Sequence, residues 1–139
     1  MILTLKVKLI FGLYADGDWE GIFEINAAST CDELHAAIQR ALKFDDDHLY
    51  EFYIARTARS GDRVHFDDEN GLLYTQTWGD IFPLPKDRNF YYLFDYGDSW
   101  LFQVSRTRHA PSVVKPRVRY PRLILSTGKR PEQYPPYEE

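Results

Sequence analysis

The chain has 139 residues, 44% of them hydrophobic and 27% charged, with a net charge of −4. That is the balance of an ordinary globular domain long enough to bury a core. A lone cysteine, Cys31, excludes an internal disulfide and a cysteine-built zinc site. No apolar run reaches the roughly 18 residues of a spanning helix, so no membrane segment is expected.

Aromatic residues make up 16% of the chain, ten Tyr and nine Phe among them, which favours strands and large packed rings. Met1 leads into Leu3, Leu5, Val7, Leu9 and Phe11 alternating with Thr4, Lys6 and Lys8. This is a strand and not the continuous apolar core of a signal peptide, so the expected location is the cytoplasm. Ala15-Asp16-Gly17-Asp18 reads as a turn, and Trp19, Phe23 and Ile25 alternate with Glu20 and Glu24 to complete an opening hairpin. Thr30 and Glu33 have the spacing of a capping box; Cys31, Leu34, Ile38, Ala41 and Leu42 follow at helical spacing as one apolar stripe. The helix should stop near Phe44, because Asp45-Asp46-Asp47 opposes both helix propensity and the negative end of the helix dipole.

Tyr50 to Ile54 reads as the next strand and residues 57–72, rich in Gly and Asp, as a long loop. Leu73 to Trp78 is expected as a short strand, and Gly79 to Pro85 as a short helix or turn. Residues 90–105 form an aromatic hairpin turning at Asp95-Tyr96-Gly97-Asp98. A linker at 109–118 precedes a last strand, Val118 to Leu125, expected at a sheet edge because Pro121 cannot donate to a ladder. Residues 127–139 lack periodicity and read as an extended tail. The expected fold is one α+β domain over residues 1–139: a mostly antiparallel sheet with an opening β-hairpin and one main helix packed on one face.

Several stretches, quoted in order, carry a resemblance: Asp32-Glu33-Leu34-His35, Phe44-Asp45-Asp46-Asp47-His48-Leu49-Tyr50-Glu51-Phe52, Phe94-Asp95-Tyr96-Gly97-Asp98-Ser99-Trp100 and Tyr120-Pro121-Arg122. In that order the chain resembles the plasmid pRiA4b ORF-3-like family over nearly its whole length. The resemblance implies a compact α+β domain and an association with plasmids and mobile elements; members are largely uncharacterised. Many members follow the Trp with Glu-His, where this chain has Leu101-Phe102. Many end in Gly-Ala-Cys-Pro-Pro-Glu-Asp, where this chain has Gly128-Lys129-Arg130-Pro131-Glu132-Gln133. Chemistry assigned to that acid, histidine or cysteine does not transfer.

Three constellations are candidates for function. Asp45, Asp46, Asp47, His48 and Glu51, with Asp95 and Asp98, offer carboxylates and an imidazole of the kind that hold Mg²⁺, Mn²⁺ or a transition metal and activate water. The plain alternative is a helix-terminating acidic turn and a hairpin turn capped by its own aspartate. Arg106, Arg108, His109, Lys115, Arg117, Arg119, Arg122, Lys129 and Arg130, interleaved with Tyr120 and Tyr134, suit phosphate contacts and base stacking. They belong to a charge division. Residues 1–98 carry nine basic and eighteen acidic side chains, residues 99–139 eight basic and three acidic. The two parts can pair internally, or the basic part can face an anionic partner. Tyr91, Tyr92, Tyr96, Trp100 and Phe102 could line a recognition groove, Tyr96 and Trp100 being the least committed to a core, although aromatics at period two on paired strands are ordinarily core and cross-strand pairs.

No other catalytic pattern emerges. Cys31 lies on the helix's apolar stripe, Ser99 and Ser105 lack a nucleophile-elbow context, and Gly61 and Gly71 form no phosphate cradle. The sequence therefore reads as a non-catalytic binding or accessory module engaging protein or nucleic acid, with no cofactor implied. The runner-up is a metal-dependent hydrolase of phosphoesterase type using Asp46, His48, Asp95 and Asp98.

Overall fold

A computed structural model describes residues 1–136. Strands β1 (Ile2–Phe11) and β2 (Trp19–Asn26) form the opening hairpin, and helix α1 (Cys31–Leu42) follows. Then come β3 (Tyr50–Ala55), β4 (Val64–Phe66) and the one-turn helices α2 (Leu72–Thr75) and α3 (Trp78–Ile81). The aromatic hairpin is β5 (Asn89–Phe94) and β6 (Trp100–Arg106), and β7 (Arg122–Gly128) is last. Among the described residues the seven strands form one sheet in the order β4-β3-β5-β6-β1-β2-β7, antiparallel at every step. This is the expected α+β architecture, mostly sheet, with one main helix.

Alternation decides the two faces. Leu5 and Val7 of β1, Phe23 of β2, Phe52 of β3, Tyr92 and Phe94 of β5 and Phe102 of β6 all point to one side and are buried. Helix α1 covers them with Leu34, Ile38 and Leu42, while Leu73, Trp78 and Ile81 of α2 and α3 close the flank. Each such side chain stabilises the fold by roughly 1.5–3 kcal/mol relative to exposure. At the start of α1 the Glu33 carboxylate accepts the Thr30 N–H at 2.9 Å, and the Thr30 hydroxyl donates to Asp32. At its end Lys43 turns left-handed (φ 56°) and the Phe44 N–H reaches the Gln39 carbonyl at 3.0 Å. Phe44 then folds inward onto Trp100, ring centroids 5.1 Å apart. The aspartate run consequently starts outside the helix.

Three expectations are corrected. Residues 57–72 contain a strand, β4, which pairs Phe66 with Phe52 and Val64 with Ile54. Its three residues are too few for an alternation to register, and the burial of Phe66 is what holds it. Leu73 to Trp78 is not a strand: Gly71 at φ 75° opens α2, and the Thr77 hydroxyl caps α3 by accepting the Asp80 N–H at 3.2 Å. The last strand is Arg122–Gly128, beginning just after Pro121, and it does lie at the sheet edge beside β2. Of the expected tail, residues 137–139 lie outside the described residues, and 129–136 form no helix or strand.

Gly128 ends β7 where the chain crosses the first residues of β2. It sits at φ 82°, and a Cβ there would lie 1.7 Å from the Asp18 carbonyl oxygen. Substitution G128A should therefore push the end of β7 off β2 and lower stability by about 1–3 kcal/mol in urea denaturation. An unchanged midpoint would show that β7 adds nothing to the cooperative unit.

Candidate functional site

The site is built from the inside of the sheet outwards. Tyr92 lies at the centre of β5, fully buried, and its hydroxyl needs partners in an apolar layer. Helix α1 supplies two, four residues apart in the middle of the helix: Gln39 Nε2 donates to it at 3.0 Å, and His35 Nδ1 lies 2.5 Å away. His35 stacks flat on Tyr50, with centroids 3.5 Å apart, and turns its other nitrogen, Nε2, to Asp46 Oδ1 at 2.7 Å. Gln39 Oε1 accepts the Asp46 N–H at 3.1 Å. Burial depresses the His35 pKa, and this outweighs the opposing pull of Asp46. Burial pushes the Tyr92 phenol and the Cys31 thiol up, so Cys31 is a packed, unreactive group.

Outside this layer the acidic turn meets both the hairpin turn and the C-terminal segment. Asp95 opens the hairpin turn at φ 63°, and its Oδ1 accepts the N–H groups of Gly97 (3.0 Å) and Asp98 (3.3 Å). Its other oxygen faces His48 Nε2 at 3.3 Å. Tyr134 donates its hydroxyl to Asp47 Oδ2 at 2.7 Å and lies 2.8 Å from His48 Nε2. Gln133, only 6% exposed, bridges the turn: Oε1 accepts the Asp45 N–H at 2.6 Å and Nε2 donates to Asp47 Oδ1 at 2.8 Å. The bond from Tyr134 holds the Asp47 carboxyl below its usual range, and the same bond pushes the Tyr134 phenol up to about 12.

The candidate residues therefore separate. His48 and Asp95 come together, with Asp47 beside them. Asp46 turns inward to His35, and Asp45 is held through its backbone. Glu51 points to the other face of the sheet, where it meets His65 at 2.8 Å. Asp98 makes no ion pair among the described residues; its carbonyl accepts the Leu13 N–H at 2.8 Å. Tyr96 is exposed, but Trp100 is not a surface residue. It is fully buried beneath Gly12, where a Cβ would come 2.7 Å from the indole ring. Trp100 begins β6 in phase with Phe102 and Val104, so the alternation that buries them buries it too. The residues that sequence reasoning missed are His35, Gln39 and Gln133. The first two show only as polar interruptions of the α1 stripe, and Gln133 gives no local signal.

The basic side chains lie elsewhere. The segment after β6 runs past the start of β1, where Thr107 N–H donates to the Thr4 carbonyl at 2.9 Å and Ser112 pairs with Ile2. It reaches the N-terminal turn of α1 at Tyr120 and then enters β7. Between α1 and the start of β7 lies a cleft of about 650 Å³, with Ala37, Ala41 and Leu123 as apolar lining and Arg40, Arg119 and Arg122 around them. Arg122 pairs with Glu24 at 2.6 Å and Lys129 with Asp16 at 2.7 Å. Among the described residues, Arg106, Arg108, Lys115, Arg117 and Arg119 make no ion pair and are exposed.

A seven-stranded antiparallel sheet backed by one long helix, its acidic turns tied together and its basic side chains exposed, defines an α+β domain of the small, sheet-dominated kind. The chain belongs to the plasmid pRiA4b ORF-3-like protein family, whose sequence profile matches residues 21–134. Its fold is similar to the crystal structure of MM3350, a protein of unknown function from Methanosarcina mazei Go1, with a TM-score of 0.69 and 24% identity, over 90% of this chain and 68% of that one. No curated protein matches the chain.

Two outcomes test this description. Because His35 is harder to protonate folded than unfolded, the unfolded state binds more protons below its ordinary value of about 6.5, and stability should fall on acidification from there. Urea denaturation at pH 7.5 and pH 5.5 should show this loss, and H35Q should flatten it while costing about 1–3 kcal/mol at the higher pH. Substitution Q133A leaves the Asp45 N–H without its partner and should cost about 1–3 kcal/mol. It should also open the chain to trypsin after Lys129, and resistance equal to the parent's would show that the C-terminal segment is held without Gln133.

Proposed function

We propose that the chain is a non-catalytic accessory module of mobile elements that binds nucleic acid in the cytoplasm through the basic segment between β6 and β7. One observation carries this reading: Arg106, Arg108, Lys115, Arg117 and Arg119 are exposed and unpaired among the described residues. Internal neutralisation would have used them up, yet among the described residues only Arg122 and Lys129 of this half pair with the acidic half. Cations free of carboxylates are available for phosphates. The cleft beside α1 adds Arg40 to the set, and Tyr120, with the Arg122 guanidinium 5.9 Å from its ring centre, offers a π-face for an unpaired base. A hydrolase built on Asp46, His48, Asp95 and Asp98 draws less support, since Asp46 engages His35 and Asp95 caps its own turn.

Fluorescence anisotropy with a labelled duplex and a labelled single strand, repeated over a range of salt concentrations, tests the proposal. If about five cations each meet one phosphate, log affinity should fall with log salt at a slope of about −4. The double substitution R117S/R119S should reduce that slope by nearly 2 without changing the melting temperature. Absence of binding to either probe at low salt overturns the reading.

A further inference from the structure

On the sheet face opposite the helices, β3 and β4 bring together three side chains that the acidic turn and the basic segment do not use. The register sets Phe52 against Phe66 and Tyr53 against His65, so one step further Glu51 lies across from Asp67. Opposed like charges on neighbouring strands are destabilising unless something neutralises them. Among the described residues the ion-pair partner of Glu51 is an imidazole: His65 Nδ1 lies 2.8 Å from Glu51 Oε2, and the Glu51 side chain is 12% exposed. The nearby guanidinium of Arg63 is committed elsewhere. It lies 4.2 Å over the Tyr53 ring and donates to the carbonyls of Ser60 (2.6 Å) and Ala58 (3.0 Å).

The three side chains are also held in place. Glu51 and His65 sit on paired strands. Asp67 exchanges bonds with Asn70, its Oδ1 accepting the Asn70 N–H at 2.8 Å and its N–H donating to Asn70 Oδ1 at 3.2 Å. Asn70 Nδ2 in turn donates to the His65 carbonyl at 2.8 Å. One donor atom from each of Glu51, His65 and Asp67 lies within 4.8 Å of the others. A tetrahedral ion with bonds of about 2.0–2.2 Å would need its ligands about 3.4 Å apart, a contraction that side-chain rotation supplies.

We propose that Glu51, His65 and Asp67 form a binding site for a divalent transition-metal ion of the Zn²⁺ type. One imidazole with two carboxylates favours such an ion over Mg²⁺ or Ca²⁺, which prefer oxygen alone, and solvent would complete the coordination. The ion would neutralise the opposed carboxylates and tie the three-residue edge strand β4 to β3. This site is independent of the nucleic-acid reading.

Calorimetric titration of the EDTA-treated chain with ZnCl₂ should show one ion bound per chain and a rise in melting temperature. H65Q should weaken binding at least tenfold, and D67N should also weaken it. H48Q, in the other acidic cluster, should leave it unchanged. The proposal is overturned if the parent shows no saturable binding, if H65Q binds as the parent does, or if H48Q abolishes binding. Should H65Q fail to fold, imidazole ¹⁵N spectra of the parent decide: Zn²⁺ must shift the His65 ring, and a shift confined to His48 sinks the idea.

Discussion

Tyr92 places a hydroxyl in the middle of an otherwise apolar layer, and that oxygen must find partners or the layer closes at a cost of a few kcal/mol. Both partners come from α1, so His35 and Gln39 set the axial position and rotation of the helix over the sheet. Apolar contacts alone permit a helix to slide by a fraction of a turn, since Leu, Ile and Ala fit several grooves. Two directional bonds to one buried oxygen do not. The same two side chains then reach outward to Asp46, and the start of the acidic turn inherits its position from the core.

From that anchor the polar residues act as ties between segments distant in sequence. Asp47 and the Asp45 amide hold the C-terminal segment through Gln133 and Tyr134, and His48 reaches Asp95 across the sheet end. Carboxylates in a row look like a reactive cluster in a one-dimensional reading. In three dimensions, Asp46 turns inward to His35, while Asp47 and Asp95 lie either side of His48 and accept from different donors, Gln133 and Tyr134 for Asp47 and the hairpin-turn amides for Asp95. A shared metal would require them to turn the same oxygens towards one point.

The division of charge has a similar resolution. Of the basic C-terminal part, Arg122 and Lys129 meet carboxylates at the β2 edge and at the first hairpin turn, in exposed pairs that contribute little to stability. The remaining arginines stay in solvent because the segment carrying them is bound to the sheet through its backbone, at Thr4 and Ile2. That arrangement leaves the side chains exposed.

Alternation in β1, β2, β5 and β6, the capping pair Thr30 and Glu33, and the helical stripe through Leu42 were legible because each is a local pattern with its own period. Family membership was legible for a related reason, since short aromatic and acidic runs keep their order along the chain. Strand β4 escaped because three residues cannot display a period, and α2 escaped, with the first residue of α3, because Leu73 and Trp78 are as compatible with a strand as with a turn of helix until a core claims them; the rest of α3 falls in the stretch from Gly79 that reads as a short helix or turn. Trp100 looked available at the mouth of a turn, but it continues the buried phase of Phe102 and Val104, and Gly12 and Phe44 close over it. For β1, β2, α1, β3 and β5 the sequence by itself determined that an element forms and which face it turns to the core, because those choices depend on neighbours a few residues away. The tertiary structure alone decided which charges meet, as with Glu51 and Asp67 or His48 and Asp95, because side chains of separated segments become neighbours only when strands pair in one register.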